Sequence, residues 1–481
     1  MRGGRLRARW ALAGHLQAPW GALASRQGRR CGLASAPVSS RATRCQCRLL
    51  LGLALLTVLG LGSPARAAER YLPGEVIVRY DAGAGRSAQH RIESAVGTRI
   101  ARRLPDGSTR LELRDKDAVS AVVATLRRDA HVAYAVPNYV ARASAFHPND
   151  PGLNLQWNFT GPFGIDMPEA WALASARNAP GGRGAIVAVL DTGVAYRDLG
   201  PKRRAPDLHS FVRGYDFVND DPYPLDANGH GTHVAGTIAE ATNNGIGASG
   251  IAYAARIMPV RTLDASGDGD SVTISRGIRY AVDHHADVIN MSLEFAPYVG
   301  AGDVPNVLAA LRYARARGVV VTTVAGNEAN PSALPFPARS GLVIAVAATT
   351  ADGCQARYSN AGPQVDVAAP GGGPDAAPAD DDWDRAHCHP EAAGRSIYQE
   401  TLSPRTDATR FALPSGYYGT SMAAPHVAGL AALILASHRL GPHPSPAAVQ
   451  QLIEQTARDI GPAGYDIRYG HGLIDAAAAL R

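Results

Sequence analysis

Cysteine is scarce: the 481-residue chain has five, and Cys31, Cys45 and Cys47 fall near its start. That excludes a disulfide-dense scaffold. A zinc site is excluded as well, since His387-Cys388-His389 has no further ligands at recognisable spacing. Long apolar runs are also missing. The most extended, Leu49 to Gly62, has 14 residues, short of the roughly 20 that a helix needs to cross ~30 Å of hydrocarbon. Acidic residues are absent from positions 1–68, which hold eleven arginines. The formal charge of +6 therefore misleads, because residues 147–481 carry 24 basic and 33 acidic side chains. So acidic a body argues against nucleic acid as a partner. With 19% charged and 46% hydrophobic residues, disorder is excluded. The length allows two to four domains.

The N-terminus reads as an address. Arg41, Arg44 and Arg48 precede the apolar run, and Ser63-Pro64-Ala65-Arg66-Ala67 follows it. Positive flank, short apolar core and an Ala-x-Ala end predict an export signal cleaved after Ala67. Residues 1–67 are then a signal peptide with a long basic leader. The mature protein is expected to be secreted, extracellular or periplasmic, without a membrane anchor. Cys354 and Cys388 remain after processing. An even pair in an exported chain reads as one disulfide, with two free buried thiols as the alternative.

Residues 68–146 form a second segment, with a balance of +4 over 69–146. Strand patterns at Glu75–Tyr80, Arg110–Leu113 and His131–Val136 alternate with helical ones at Ser87–Ala95 and Asp117–Arg128. Such alternation in ~75 residues predicts a small α+β, ferredoxin-like module.

The third segment, 147–481, alternates wholly apolar strands with helices. Ala185–Leu190, Ile257–Val260, Asp287–Ser292, Gly318–Ala325 and Leu342–Ala347 are the strands, and they predict an α/β parallel sheet covered by helices on both faces. Functional groups gather beyond the carboxyl ends of such strands, where Asp191, Ser292 and Asn327 fall. Three turns of small residues each carry a reactive side chain. Asp191 closes the first strand before Thr192-Gly193. His230 stands in Asn228-Gly-His-Gly-Thr-His-Val-Ala-Gly236, and Ser421 in Gly419-Thr-Ser-Met-Ala-Ala-Pro-His-Val-Ala-Gly429. The order Asp, His, Ser is the one found in subtilisin.

On these motifs residues ~150–481 resemble the subtilisin-like serine proteases. Tyr71-Leu-Pro-Gly-Glu-Val-Ile-Val and Val132-Ala-Tyr-Ala-Val-Pro-Asn-Tyr139 resemble their inhibitory propeptides. The resemblance implies a subtilisin-like fold in a self-processed preproenzyme, acting as a monomer on protein or peptide substrates and bound by its own propeptide. It also assigns roles. His230 is the general base, Asp191 fixes its tautomer, and Ser421 is the nucleophile. Asn327 and the Ser421 N–H are the oxyanion donors, while His233 and His426 are structural.

Ser292, Leu293, Glu294 and Gly326 would line the substrate site, with Ser266–Asp270 on its other side. The family has Ser-Leu-Gly where this chain has Ser292-Leu293-Glu294, which leaves specificity open. A tilt of the cleft toward Arg or Lys is the expectation if Glu294 lines the pocket. Thr242-Asn-Asn-Gly-Ile-Gly-Ala248 resembles the family's calcium loop: Asn244 by its amide, and Thr242, Ile246 and Ala248 by their carbonyls, would join the Asp207 carboxylate around a structural calcium. Asp216, Asp220, Asp221 and Asp226 read either as a second ion site or as a solvated loop. Gly371 to about Thr409 reads as a long surface insertion.

Overall fold

The computed structural model describes residues 7–9, 71–115, 118–139, 146–379, 383–405 and 407–481. The predicted signal run and its cleavage site lie outside them. The chain divides into two compact units, Ala18–Arg142 and Ala143–Arg481, the latter joined by Met1–Gln17. The first strand, β1 (Arg7–Arg9), belongs to the larger unit.

The smaller unit runs β2 (Tyr71–Tyr80), α1 (Arg86–Ala95), β3 (Thr98–Arg103), β4 (Thr109–Leu113), α2 (Val119–Leu126) and β5 (Val132–Tyr139). Its sheet is antiparallel in the order β3-β4-β2-β5, which is the ferredoxin-like arrangement expected. Val76, Val78 and Leu111 from the sheet meet Ile92, Val119, Val123 and Leu126 from the helices in one buried cluster. Two details differ from the sequence reading. Strand β3 has no apolar signal because it is an exposed edge. Strand β5 continues through Pro137 instead of stopping there; an edge strand tolerates the missing N–H.

The larger unit is built on seven parallel strands. They are β6 (Ile186–Asp191), β7 (Tyr215–Asp216), β8 (Arg256–Arg261), β10 (Val288–Met291), β12 (Val320–Val324), β13 (Ile344–Thr349) and β14 (Val367–Pro370), in the order β14-β13-β12-β10-β6-β8-β7. Two short strands, β9 (Asp268–Asp270) and β11 (Glu294–Phe295), stand apart from that sheet. The pleat sends alternate residues to opposite faces. Val187 and Val189 pack with α5 (His230–Ala239) and α8 (Thr420–Ala436). Ala188 and Leu190 pack with α6 (Ser271–Asp283) and α7 (Pro305–Ala316). Both faces are dry, so the strands read as continuous apolar runs. Each fully buried Val or Leu contributes roughly 1.5–3 kcal/mol.

Strand β6 lies between β8 and β10, and the chain leaves it in opposite directions across the sheet. This switch point is where parallel sheets leave a crevice. Met291 pairs with Leu190, so Asp191 and Ser292 emerge side by side.

The stretch from Gly371 to about Thr409 is only partly the surface insertion expected. Ile397, Gln399, Thr401 and Leu402 are buried, with Ile397 and Leu402 in the same apolar cluster as α5. Its Cys388 is bonded to Cys354, so the pair is a disulfide. Asp375 lies against the two sulfurs, but a disulfide leaves no thiolate for a metal.

Candidate active site

Asp191 and His230 are both fully buried and joined by a 2.7 Å hydrogen bond from His230 Nδ1 to Asp191 Oδ1. The Thr192 N–H also donates to that oxygen, at 2.7 Å. With Nδ1 carrying the donated proton, Nε2 is the nitrogen able to take another. Close approach of α5 to β6 depends on Gly231, where a Cβ would collide with the Gly193 carbonyl.

Asp226 locks this junction, a role its place in the acidic run did not reveal. Its Oδ1 accepts from Thr192 Oγ1 (2.9 Å) and from the N–H groups of Asn228 and Gly229. Its Oδ2 accepts from Thr232 N and Oγ1, at 3.0 and 2.6 Å. One buried carboxylate thereby ties the end of β6 to the start of α5. Asp216 is likewise buried and paired with Arg261 at 2.8 Å. Two of the four acids in the run are thus buried and bonded within the fold.

Ser421 sits buried in the first turn of α8. Pro425 stands four residues on and has no N–H to return to the Ser421 carbonyl. Ser292 Oγ supplies that bond instead, at 2.9 Å. Ser292 is held by Asn290 Nδ2 (3.0 Å), whose Oδ1 accepts from Thr322 Oγ1 (3.1 Å). A buried polar chain therefore runs from the sheet to the serine turn. Asn327 Oδ1 accepts from Thr420 N and Oγ1, at 2.9 and 3.0 Å. That orientation commits the oxygen and leaves the Nδ2 end as the donor.

His233 and His426 are spent elsewhere. His233 Nε2 donates to the Ile397 carbonyl at 3.0 Å, and its ring stacks on Tyr417. Burial pulls its pKa down to about 3. His426 bonds the Met422 carbonyl and Asn158, both at 2.8 Å, and burial lowers its pKa to about 4. Both are neutral packing residues at working pH.

The predicted substrate segments do come together. Strand β1 lies antiparallel between β9 and β11, with Arg9 opposite both Asp268 and Glu294. An extended peptide therefore fits between the two segments. Leu293 is fully buried in the apolar cluster under the sheet, and the Ser292 hydroxyl is already engaged, so these two can offer a peptide only their backbone. Asp270 is committed to capping α6, accepting from Val272 N and Thr273 N at 2.9 Å. Glu294 is buried, against its residue type.

Of the predicted calcium residues, Asn244 and Ala248 meet Asp207. Asp207 is fully buried, and Asn244 Nδ2 (2.6 Å) and Ala248 N (3.2 Å) donate to it. Ile246 is exposed and Thr242 only partly buried. Sequence reasoning missed three further carboxylates. Asp150 accepts from the N–H groups of Asn243 and Asn244 and from Ser249 Oγ. Glu240 is fully buried; it accepts from Ala248 N at 2.9 Å and from Glu400 N at 3.1 Å. Glu400 in turn accepts from Asp207 N at 2.8 Å. Burial raises the pKa of Asp207 and Glu240, and takes Glu400 to about 7. Carboxyls crowded without an opposing base are a donor set that suits calcium.

A parallel sheet that gathers aspartate, histidine and serine at its switch point, with an amide beside the serine, belongs to a serine hydrolase. The subtilase family model matches residues 182–472, and the model of the fervidolysin N-terminal prodomain matches 62–138. An extracellular protease of Xanthomonas campestris is 32% identical over 90% of this chain and 78% of its own length. Thermitase of Thermoactinomyces vulgaris is 37% identical over 70% of this chain and all of its own. A solved protease structure from Pseudoalteromonas arctica superposes with a TM-score of 0.56 at 33% identity, covering 69% of this chain and 98% of that one. The chain belongs to the subtilase family: it is a subtilisin-type serine endopeptidase with an N-terminal prodomain.

Proposed function

We propose that the chain is made as a preproenzyme: residues 1–67 direct export, 68–146 inhibit and template the catalytic domain, and 147–481 are the monomeric protease. The reading of the site rests on one observation, the buried 2.7 Å bond that sets His230 in the tautomer a general base requires. Ser421 Oγ attacks the peptide carbonyl while His230 Nε2 takes its proton, and Asp191 stabilises the imidazolium. The developing oxyanion receives Asn327 Nδ2 and the Ser421 N–H. His230 then protonates the leaving amine, and water resolves the acyl-enzyme.

Asp207, Asn244 and the carbonyls of Thr242, Ile246 and Ala248 would hold calcium. Its contribution there is charge compensation that stabilises the loop, remote from the reacting atoms. Export is supported by the Ala67 signal and by the extracellular protease among the relatives. Among the described residues no helix is long and apolar enough to cross a membrane. Expression of Ser421→Ala tests the scheme. It should accumulate as an uncut proform after signal removal, and normal maturation would assign the cut to another protease.

A further inference from the structure

Two segments are fastened to the serine turn, one by Ser292 Oγ to the Ser421 carbonyl and the other by Asn327 Oδ1 to Thr420. Glu294 lies two residues beyond Ser292, on β11, and is only 4% exposed. Its Oε2 is buried and has no hydrogen-bond partner. That oxygen hangs over Gly326 in the opposite segment. A Cβ on Gly326 would come within 2.7 Å of Glu294 Oε2 and 2.9 Å of Glu328 Oε2, and would collide with Asn360 Nδ2. The two carboxyl groups therefore converge on one slot from its two walls.

A single neutral amide answers them: Asn360 Nδ2 donates to Glu328 Oε2 at 2.6 Å. Asn360 Oδ1 is itself occupied by the N–H groups of Glu328 and Asn330. Burial, then the neighbouring Glu328, pushes the Glu294 carboxyl well above its usual range. An extended backbone seated on β11 runs directly past Glu294, as β1 does.

We propose that Glu294 and Glu328 form an acid pair in the side-chain pocket beside Ser421 and select substrates with Arg or Lys at the residue whose carbonyl is attacked. The proposal rests on Ser421 being the nucleophile. A guanidinium would supply the donors that Glu294 Oε2 lacks. Its planar fork meets two converging carboxylates better than an ammonium does, so Arg should exceed Lys.

The test is a set of fluorogenic peptides that differ only at the cleaved residue (Arg, Lys, Gln, Leu and Ala), run on mature wild type, Glu294→Gln, Glu328→Gln and Glu294→Gly. Labelling of each by a fluorophosphonate certifies that the serine is intact. Wild type should favour Arg over its uncharged counterpart Gln by about tenfold or more in kcat/KM, and each glutamine variant should collapse that ratio. A labelled wild type that prefers Ala, with Glu294 acting as a plug, would overturn the proposal; so would a ratio unmoved by Glu294→Gln. An enzyme that neither labels nor cleaves any peptide would instead sink the nucleophile reading, and the selection with it.

Discussion

Two sets of carboxylates in the catalytic unit, buried in all but the exposed Glu328, are built on opposite plans. Around the triad the acids meet donors supplied by the fold: Asp226 receives five hydrogen bonds, and Asp191 receives His230 and Thr192 on Oδ1, its buried Oδ2 alone having none. Around the loop at 242–248, and again at Glu294–Glu328, acids face other acids across a few backbone N–H groups and amides. The first plan is complete when the chain folds, and it fixes geometry. The second is complete only when something positive arrives. On the proposals made above, that is a metal ion for the loop and a substrate side chain for the Glu294–Glu328 pair. Rigidity and receptivity are thus separated within one domain.

The comparison can be sharpened, beginning with the largest effect. Asp191→Asn keeps the shape of the answered network but supplies the wrong tautomer to His230, so kcat should fall by about 10⁴ with little change in KM. A loss under tenfold would mean that this network is not catalytic. Asp226→Ala strands five donors at once and should destabilise by about 3–5 kcal/mol, read from chemical unfolding of the Ser421→Ala background to avoid self-digestion. Chelation addresses the other plan. Removing calcium at a hundredfold excess over Kd should forfeit ~2.7 kcal/mol and speed thermal inactivation. If confirmed removal leaves that rate unchanged, calcium has no part in the loop.

Of similar size at most is a pH effect at Asp366, a mostly buried carboxyl outside both plans. Burial holds its pKa at about 7 despite hydrogen bonds from Ala345 N and Gln450. A carboxyl raised in the folded state contributes stability that is fully present below its unfolded pKa near 4 and lost as pH rises through about 7. Unfolding of Ser421→Ala should therefore become easier across that window by up to a few kcal/mol. Asp366→Asn should flatten the slope, and an unchanged slope would locate the titration elsewhere.

Much of the site was legible because its residues are local. Asp191, His230 and Ser421 each stand in a short turn whose small neighbours are set by close packing, as Gly231 shows. What escaped was brought in from afar. Asp226 reads as one more acid in an acidic run until Thr192 and Thr232 are folded onto it. Glu400 comes to Asp207 from a stretch whose Gly, Pro and Asp content resembles a surface loop, yet it is drawn inward because Ile397 and Leu402 join the core. Glu294 looks solvent-exposed by type, yet it is buried, its carboxyl lying close over Gly326, which bears no side chain. The fold was legible wherever strands are buried on both faces. It was missed at the charged edge strand β3 and at Pro137, where position in the sheet outweighs composition.

The central claim is that Ser421, activated through His230 and Asp191, is the attacking group. Its most direct test is mass-spectrometric mapping of the adduct formed by a fluorophosphonate with the mature enzyme. One phosphonyl group per chain on Ser421, lost in His230→Ala, is the predicted result. An adduct on any other residue, or one that forms at an undiminished rate in His230→Ala, would contradict it.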